Sequence, residues 1–322
     1  MKNLLPLLIV GLFSCQTPNR EASIEKPPIK EEVKAIDVIV SFLGEELKDK
    51  ELPNSTRKKF EENFQVAQER VIQYPDSLEL IIWQGRRLAY LGQFLESIQV
   101  YTDGLVKYPL SHRLRRHRGH RYITTRQISN AVDDFEMAAF HAANATNGIE
   151  PDGLPNKLNQ PLGNDFFNIW YHFGLAHYLD GRYDKAISAY NQCMKVSDNN
   201  DLMVATTYWL YMSYKKVGNV EMAEELLEII HSKMKMVENK AYLDLLLLFK
   251  GEKKAETLLA KAKLENGTLN PTLAYGVGNW YQQQGNTSKA NEIFLQIMES
   301  PSWDSFGFIA AEKELTSAFP VP

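Results

Sequence analysis

Between Ser111 and Arg126 the chain reads SHRLRRHRGHRYITTR, with six arginines and three histidines in sixteen residues. At helical spacing Arg113, Arg116, His117, His120 and Thr124 share one face. Guanidinium forks match carboxylate and phosphate oxygens, and imidazoles titrate near neutrality or ligate metals. Anion recognition is the best supported of these chemistries, because like charges at i, i+3 and i+4 repel when nothing neutralises them. A metal site is weaker: His117 and His120 stand three apart with no Asp, Glu or Cys beside them to complete a set. The alternative reading, an enzyme or an enzyme's accessory subunit with the Arg/His cluster as its active site, would use His117 or His120 next to Arg116 as general base. Nothing in the spacing demands it, and no nucleophile motif, phosphate loop or paired catalytic carboxylates occur elsewhere. The purely structural alternative pairs this helix with Asp133, Asp134 and Glu136 on the next one, a role that suits Arg115 and Arg118 on the buried side.

The rest of the chain reads as the scaffold for that helix. Its 322 residues are 44% hydrophobic and 24% charged, with a net charge of −4. The arginine run is therefore local, against a mildly acidic background that disfavours nucleic-acid binding. Glycines recur with a period. Gly85 and Gly119 are 34 residues apart, as are Gly251 and Gly285, and Gly181 to Gly218 is a step of 37. Each unit holds two helical patterns about a turn that carries Gly92, Gly181, Gly218, Gly251 or Gly285, where positive φ ends a helix. Arg126 replaces the glycine in the second unit. Small residues twelve apart pair as Gly85 with Ser97, Gly119 with Ala131, Gly174 with Ala186 and Gly278 with Ala290, which lets two antiparallel helices cross closely.

These residues carry a resemblance to tetratricopeptide repeats. In Phe167 to Asn200, residues Trp170, Phe173, Gly174, Gly181, Tyr183, Ala186 and Tyr190 occupy the family's signature positions, with His177 in place of a usual Tyr. Units fall near 78–111, 112–145, 167–200, 204–236 and 271–304, with a degenerate one near 237–268 and a half unit before Pro75. The resemblance implies an all-α solenoid of antiparallel helix pairs in a right-handed superhelix, covering about three-quarters of the chain. It also implies that the first helix of each unit lines a concave groove. That places Trp83, Arg86 and Tyr90 there, then Arg113, Arg116, His117, His120 and Thr124, then Tyr171, His172 and Tyr208. The groove would be cationic at one end and aromatic in the middle, suited to an anionic or carboxylate-bearing peptide, protein or glycan. Family members that clamp a peptide C-terminus use Lys, Asn and Arg; here the Asn is missing. No cofactor is implied.

Two segments lie outside the period. An insertion of 21 residues near 144–165, dense in Asn, Gly and Pro, is either disordered or functional and could fold over the same groove. A last helix over 306–319 should cover the apolar face of the final repeat. At the other end Lys2 precedes the apolar run Leu4 to Phe13, too short to span a bilayer, and Leu12-Phe13-Ser14-Cys15 resembles a bacterial lipobox. The resemblance implies a signal peptide over 1–14, lipidation of Cys15, and a chain tethered to the bacterial cell envelope through its acyl groups. Residues 15–32 read as a tether too polar to fold. Residues 33–75 read as N-terminal helices, the first over Val33 to Leu47. Cys193, the other cysteine, is a small core residue. From the groove follow three expectations. Ligand binding should weaken with salt and strengthen as pH falls through the histidine range. Arg116→Ala should cost ~1.5–3 kcal/mol of affinity while leaving the free fold unchanged.

Overall fold

Seven helix starts set the array, and most are written in the sequence. Ser77, Ser111, Asn164, Asn199, Asn219, Asn270 and Asn286 each accept a backbone N–H three residues on, a cap worth ~1 kcal/mol. The computed structural model describes residues 38–48 and 50–318. The expected signal peptide, Cys15 and the 15–32 tether lie outside the described residues. Within them fourteen helices form, with no strand beyond three isolated bridges. A lone α1 (Asn54–Gln73) precedes six pairs: α2 (Leu78–Tyr90) with α3 (Phe94–Lys107), α4 (His112–Thr124) with α5 (Ile128–Ala142), α6 (Asp165–Leu179) with α7 (Tyr183–Lys195), α8 (Asn200–Lys216) with α9 (Val220–Glu228), α10 (Lys240–Phe249) with α11 (Ala255–Ala262), and α12 (Pro271–Gln283) with α13 (Thr287–Ile297). A final α14 (Phe306–Ala318) closes the chain. The tenth and eleventh are the short helices of the degenerate unit.

The small-residue pairs cross closely as expected, and a ring explains why the glycine is needed. The residue sixteen positions after each helix-one glycine is aromatic and lies on it. A Cβ at Gly85 would stand 2.3 Å from Tyr101, one at Gly174 2.7 Å from Tyr190, and one at Gly278 2.4 Å from Phe294. Each of those rings is fully buried, and burying one stabilises the fold by roughly 1.5–3 kcal/mol. Ser97 replaces Ala in the first pair and spends its hydroxyl on the Gly85 carbonyl at 2.8 Å, so no polar atom is stranded. Cys193 is buried beside Thr206, as a core residue.

The helix expected over Val33 to Leu47 does not form in its described part. Instead Ser41 accepts the N–H groups of Leu43 and Glu45 at 3.2 and 3.1 Å, Gly44 takes φ +85°, and Leu47 N–H returns to Ile39. A serine that captures backbone donors competes directly with helix formation. The apolar residues keep their role, since Ile39, Phe42, Leu43 and Leu47 still pack on the core.

The last helix does more than shield its neighbours α12 and α13. It lies along the inner helices. Phe306 sits against His120 of α4 and His172 of α6, while Glu314 meets Lys216 at the end of α8 at 2.6 Å and Tyr275 of α12 at 3.2 Å. The linker before it reaches the segment just ahead of α1: Trp303 Nε1 donates to the Lys48 carbonyl at 2.9 Å, and Asp304 pairs with Lys50 at 2.5 Å.

Candidate functional site

Helix α4 divides its arginines by face. On the outer side Arg118 grips Asp134 of α5 with two hydrogen bonds of 2.7 Å, and Arg115 reaches the same carboxylate at 3.4 Å. Of the three acids proposed as structural partners only Asp134 serves; Asp133 and Glu136 are exposed. On the inner side Arg113 bonds Glu79 at 2.6 Å and lies 3.7 Å from Asp165. Deeper in, Arg116 and His117 are buried, and the charge that covers them comes from the inserted segment. Glu150, itself buried, stands 2.9 Å from Arg116 Nη2, 3.7 Å from Arg86 Nη1 and 3.8 Å from His117 Nε2.

The insertion is therefore a strap across the inner face, as its position directly after the Arg/His repeat suggested. Its neck is the bridge between Ile149 and Asn164. Asn168 of α6 donates to Glu150 at 2.9 Å, Arg87 to the Gly153 carbonyl at 3.4 Å, and Asn199 to the Leu162 carbonyl at 3.0 Å. Gly153 lies so close to Tyr90 that a Cβ there would stand 1.6 Å from the phenol oxygen.

His117 and His120 are neutral. Burial drives both imidazoles well below the ordinary histidine range, and the guanidinium of Arg116 pushes His117 further, as that of Arg121 does His120. Arg116 Nη1 lies 2.8 Å from His117 Nδ1; an arginine nitrogen can only donate, so Nδ1 accepts and the proton resides on Nε2, toward Glu150. With its lone pair so engaged, His117 cannot serve as a general base. The expected strengthening of binding through the histidine range is thus corrected, because neither ring gains a proton there. The expectation that Arg116→Ala would spare the free fold is corrected too: it would leave Glu150 buried without its nearest cation.

Between α2, α4 and the strap a cavity of about 150 Å³ remains, lined by Arg86, Tyr90, Tyr101, Arg116, His117, His120, Arg121 and Glu150. Its walls carry three guanidiniums against one carboxylate. Arg86 Nη1 and Arg116 Nε are buried with no hydrogen-bond partner. Arg121 faces Phe94 at 5.4 Å and has no ion pair within 4 Å among the described residues. Two of the lining residues were legible as groove positions only from the neighbouring unit, Arg86 and Tyr90. Three were missed: Tyr101, which comes from the second helix of its unit, Arg121, which falls off the chosen helical face, and Glu150, which sits in an aperiodic loop.

The other expected groove residues divide. Trp83 is half-buried, with the Arg86 guanidinium 4.3 Å over its ring. Thr124, Tyr171, His172 and Tyr208 are buried core residues rather than groove contacts. The cause is packing: Tyr171 bonds Trp209 and Tyr242, Tyr208 lies against Tyr242 and Phe249, and His172 is closed in by His120, Phe135 and Phe306. His172 donates Nδ1–H to the Asn168 carbonyl at 2.6 Å, and burial holds its pKa down to about 3. Among the described residues no cluster of three His, Cys, Asp or Glu is placed to hold a metal ion, and no helix is long and apolar enough to cross a membrane.

Residues 167–200, the pair α6 and α7, match the tetratricopeptide repeat family model. The same helix pair, with its ring on its glycine, recurs along the chain. The chain has the all-α tetratricopeptide-repeat fold. No curated protein matches it. Among solved structures it is similar to a tetratricopeptide repeat protein from Parabacteroides merdae, with 12% identity, 80% of this chain and 99% of that one covered, and a TM-score of 0.46. It is also similar to YrrB, described as a TPR protein with an unusual peptide-binding site, with 12% identity, coverage of 77% and 97%, and a TM-score of 0.41. MamA shares 15% identity over 54% of this chain and 82% of its own, with a TM-score of 0.41. In this tetratricopeptide-repeat fold the inner face is not an open trough, since α14 fills its length and the strap covers its first end.

Proposed function

We propose that the protein is a binding scaffold of the bacterial cell envelope, held to a membrane through acyl chains on Cys15. It receives an anionic group of its partner at the Arg/His end of the inner face. The observation that carries the binding reading is the imbalance of charge around the α2–α4 cavity, where three guanidiniums face a single carboxylate and two buried donors have nothing to bond. Unpaired buried donors cost stability until an acceptor arrives, so the site is built to gain from an anion. Because α14 occupies the remainder of the inner face, recognition is concentrated at this one end. The anchoring reading rests on the apolar run that ends in Leu12-Phe13-Ser14-Cys15.

Two measurements test it. Mass spectrometry of the membrane fraction should find lipid on Cys15, and Cys15→Ala should release the chain; a mature N-terminus elsewhere sinks the anchor. Calorimetric titration of the purified chain with anionic and neutral forms of the same ligands should show binding only of the anionic forms, weakening as salt rises. Equal binding of both forms would reject the anionic site.

A further inference from the structure

The strap and α14 bear on the size of what can enter. The cavity of about 150 Å³ matches the volume that in an apolar core accommodates a benzene-sized guest. Phe306 and His172 wall it off on the α6 side of His120, with ring centroids 5.3 and 4.4 Å from that imidazole. Tyr90 and Gly153 close it where the strap crosses α2. A peptide main chain laid along the inner face would have to displace α14, whose Glu314 is held by Lys216 and whose Glu312 is held by Arg126. A compact, detached molecule meets no such obstacle.

Charge narrows the class further. With His117 and His120 neutral, the cavity walls carry Arg86, Arg116 and Arg121 against Glu150, a surplus of two positive charges. Of the other acids nearby, Glu79 and Asp165 are engaged with Arg113 and Asp304 with Lys50, while Asp152 on the strap lies outside the lining, within electrostatic reach of Arg86 but not paired to it. A lone carboxylate would neutralise half of that surplus. A phosphate group carries about −1.5 to −2 charge near neutrality and offers three or more acceptor oxygens. It can take Arg116 Nε, Arg86 Nη1 and the Arg121 fork together.

We infer that the α2–α4 cavity is a binding site for a small phosphate-class oxyanion, inorganic phosphate or a compact phosphomonoester. Glu150 on the strap is the internal carboxylate that shares its guanidiniums. The inference rests on the anionic reading above and narrows it to a free small molecule. Arg121 is the decisive residue, because it alone of the three has no carboxylate of its own.

The purified full chain is titrated by calorimetry with inorganic phosphate, chloride at matched ionic strength serving as the blank. Glycerol phosphate and a hexapeptide ending in a free carboxylate are run in parallel. Saturable one-to-one binding of phosphate is expected, weakened at least tenfold in Arg121→Gln. It should tighten at least tenfold in Glu150→Gln, where the competing charge is gone but the shape is kept. The thermal midpoint of the wild-type chain should rise with phosphate and not with chloride, a readout that needs no variant. Tighter binding of glycerol phosphate than of the free ion would assign the site to a phosphomonoester; the reverse order would assign it to the free ion. If the peptide binds with salt sensitivity while phosphate neither binds nor raises the midpoint, the inference is overturned and the anionic scaffold stands. If none of the three binds, both fall. Phosphate binding that is unchanged in Arg121→Gln also refutes the site.

Discussion

Removing the carboxylate of Glu312 should be among the most damaging single changes in the chain. Glu312 is fully buried, and its two oxygens meet Arg126 Nη2 and Nε at 2.9 and 3.0 Å. Burial raises its pKa even so, with Arg126 opposing. Arg126 is itself buried, donates to the Trp303 carbonyl at 2.8 Å, and holds φ at +64° where the other units have glycine. Glu312→Ala leaves that guanidinium buried without a counter-charge, a loss of about 3–5 kcal/mol. Arg126→Gly leaves the carboxylate stranded at comparable cost, less the ~1–2 kcal/mol of left-handed strain that glycine relieves. The double variant strands neither charge, so it should be no worse than either single one, with a coupling on the order of 3 kcal/mol. Urea unfolding of the four proteins, with equal m-values as the condition for comparison, measures it. If the two losses simply add, the pair does not tie α14 to the second repeat and the reasoning fails.

Burial and close packing elsewhere in the array set three further outcomes. Acid should unfold the array early: an unfolded histidine titrates near 6.5 and His172 in the fold near 3. Protons therefore bind the unfolded chain first, and stability is lost as pH falls below about 6.5. At pH 5 this one residue costs ~2 kcal/mol, and His117 and His120 add in the same direction; a fold equally stable at pH 7 and pH 5 by urea midpoint would contradict the neutral assignments. Gly174→Ala should destabilise by about 1–3 kcal/mol because its Cβ meets the Tyr190 ring, a loss that Tyr190→Leu in the same chain should partly relieve if the clash is the cause. Limited proteolysis should cut the strap between 154 and 161, where Leu154 and Leu158 are exposed, and not at Glu150; a first cut beside Glu150 would mean the strap is not held.

The repeat was legible because its cause is local. A glycine, a small residue twelve on and a ring sixteen on recur in most units, and each helix pair can be read within its own 34 residues. Asp134 was within reach for the same reason, lying one helix from Arg115 and Arg118. The cavity was only half legible. Arg116, His117 and His120 announce themselves on one helical face, but the carboxylate that meets them sits in a loop without period, and no spacing rule reaches a tie between Glu150 and Arg86. Tyr171 and Tyr208 read as groove residues because the first helix of each unit should face the hollow. That reading left out what else could fill the hollow: the packing of Tyr242 and Phe249 and the return of α14. Arg126 was visible as a misplaced turn residue, and its reason lay 186 positions away in Glu312.

Solenoids of stacked repeats normally unfold piecemeal, since each unit touches only its neighbours and stability adds along one dimension. Here Trp303 and Asp304 close onto Lys48 and Lys50, and Arg126 closes onto Glu312, across separations of 255, 254 and 186 residues. The line of repeats is in effect buckled into a loop. Fraying one end must break a tie to the other, so melting should pass from a sequence of partial openings to a single concerted event. The same ties form only after nearly the whole chain has been ordered. Folding should accordingly be slower than the local helix contacts would suggest, with the array assembled first and the clasp fastened last.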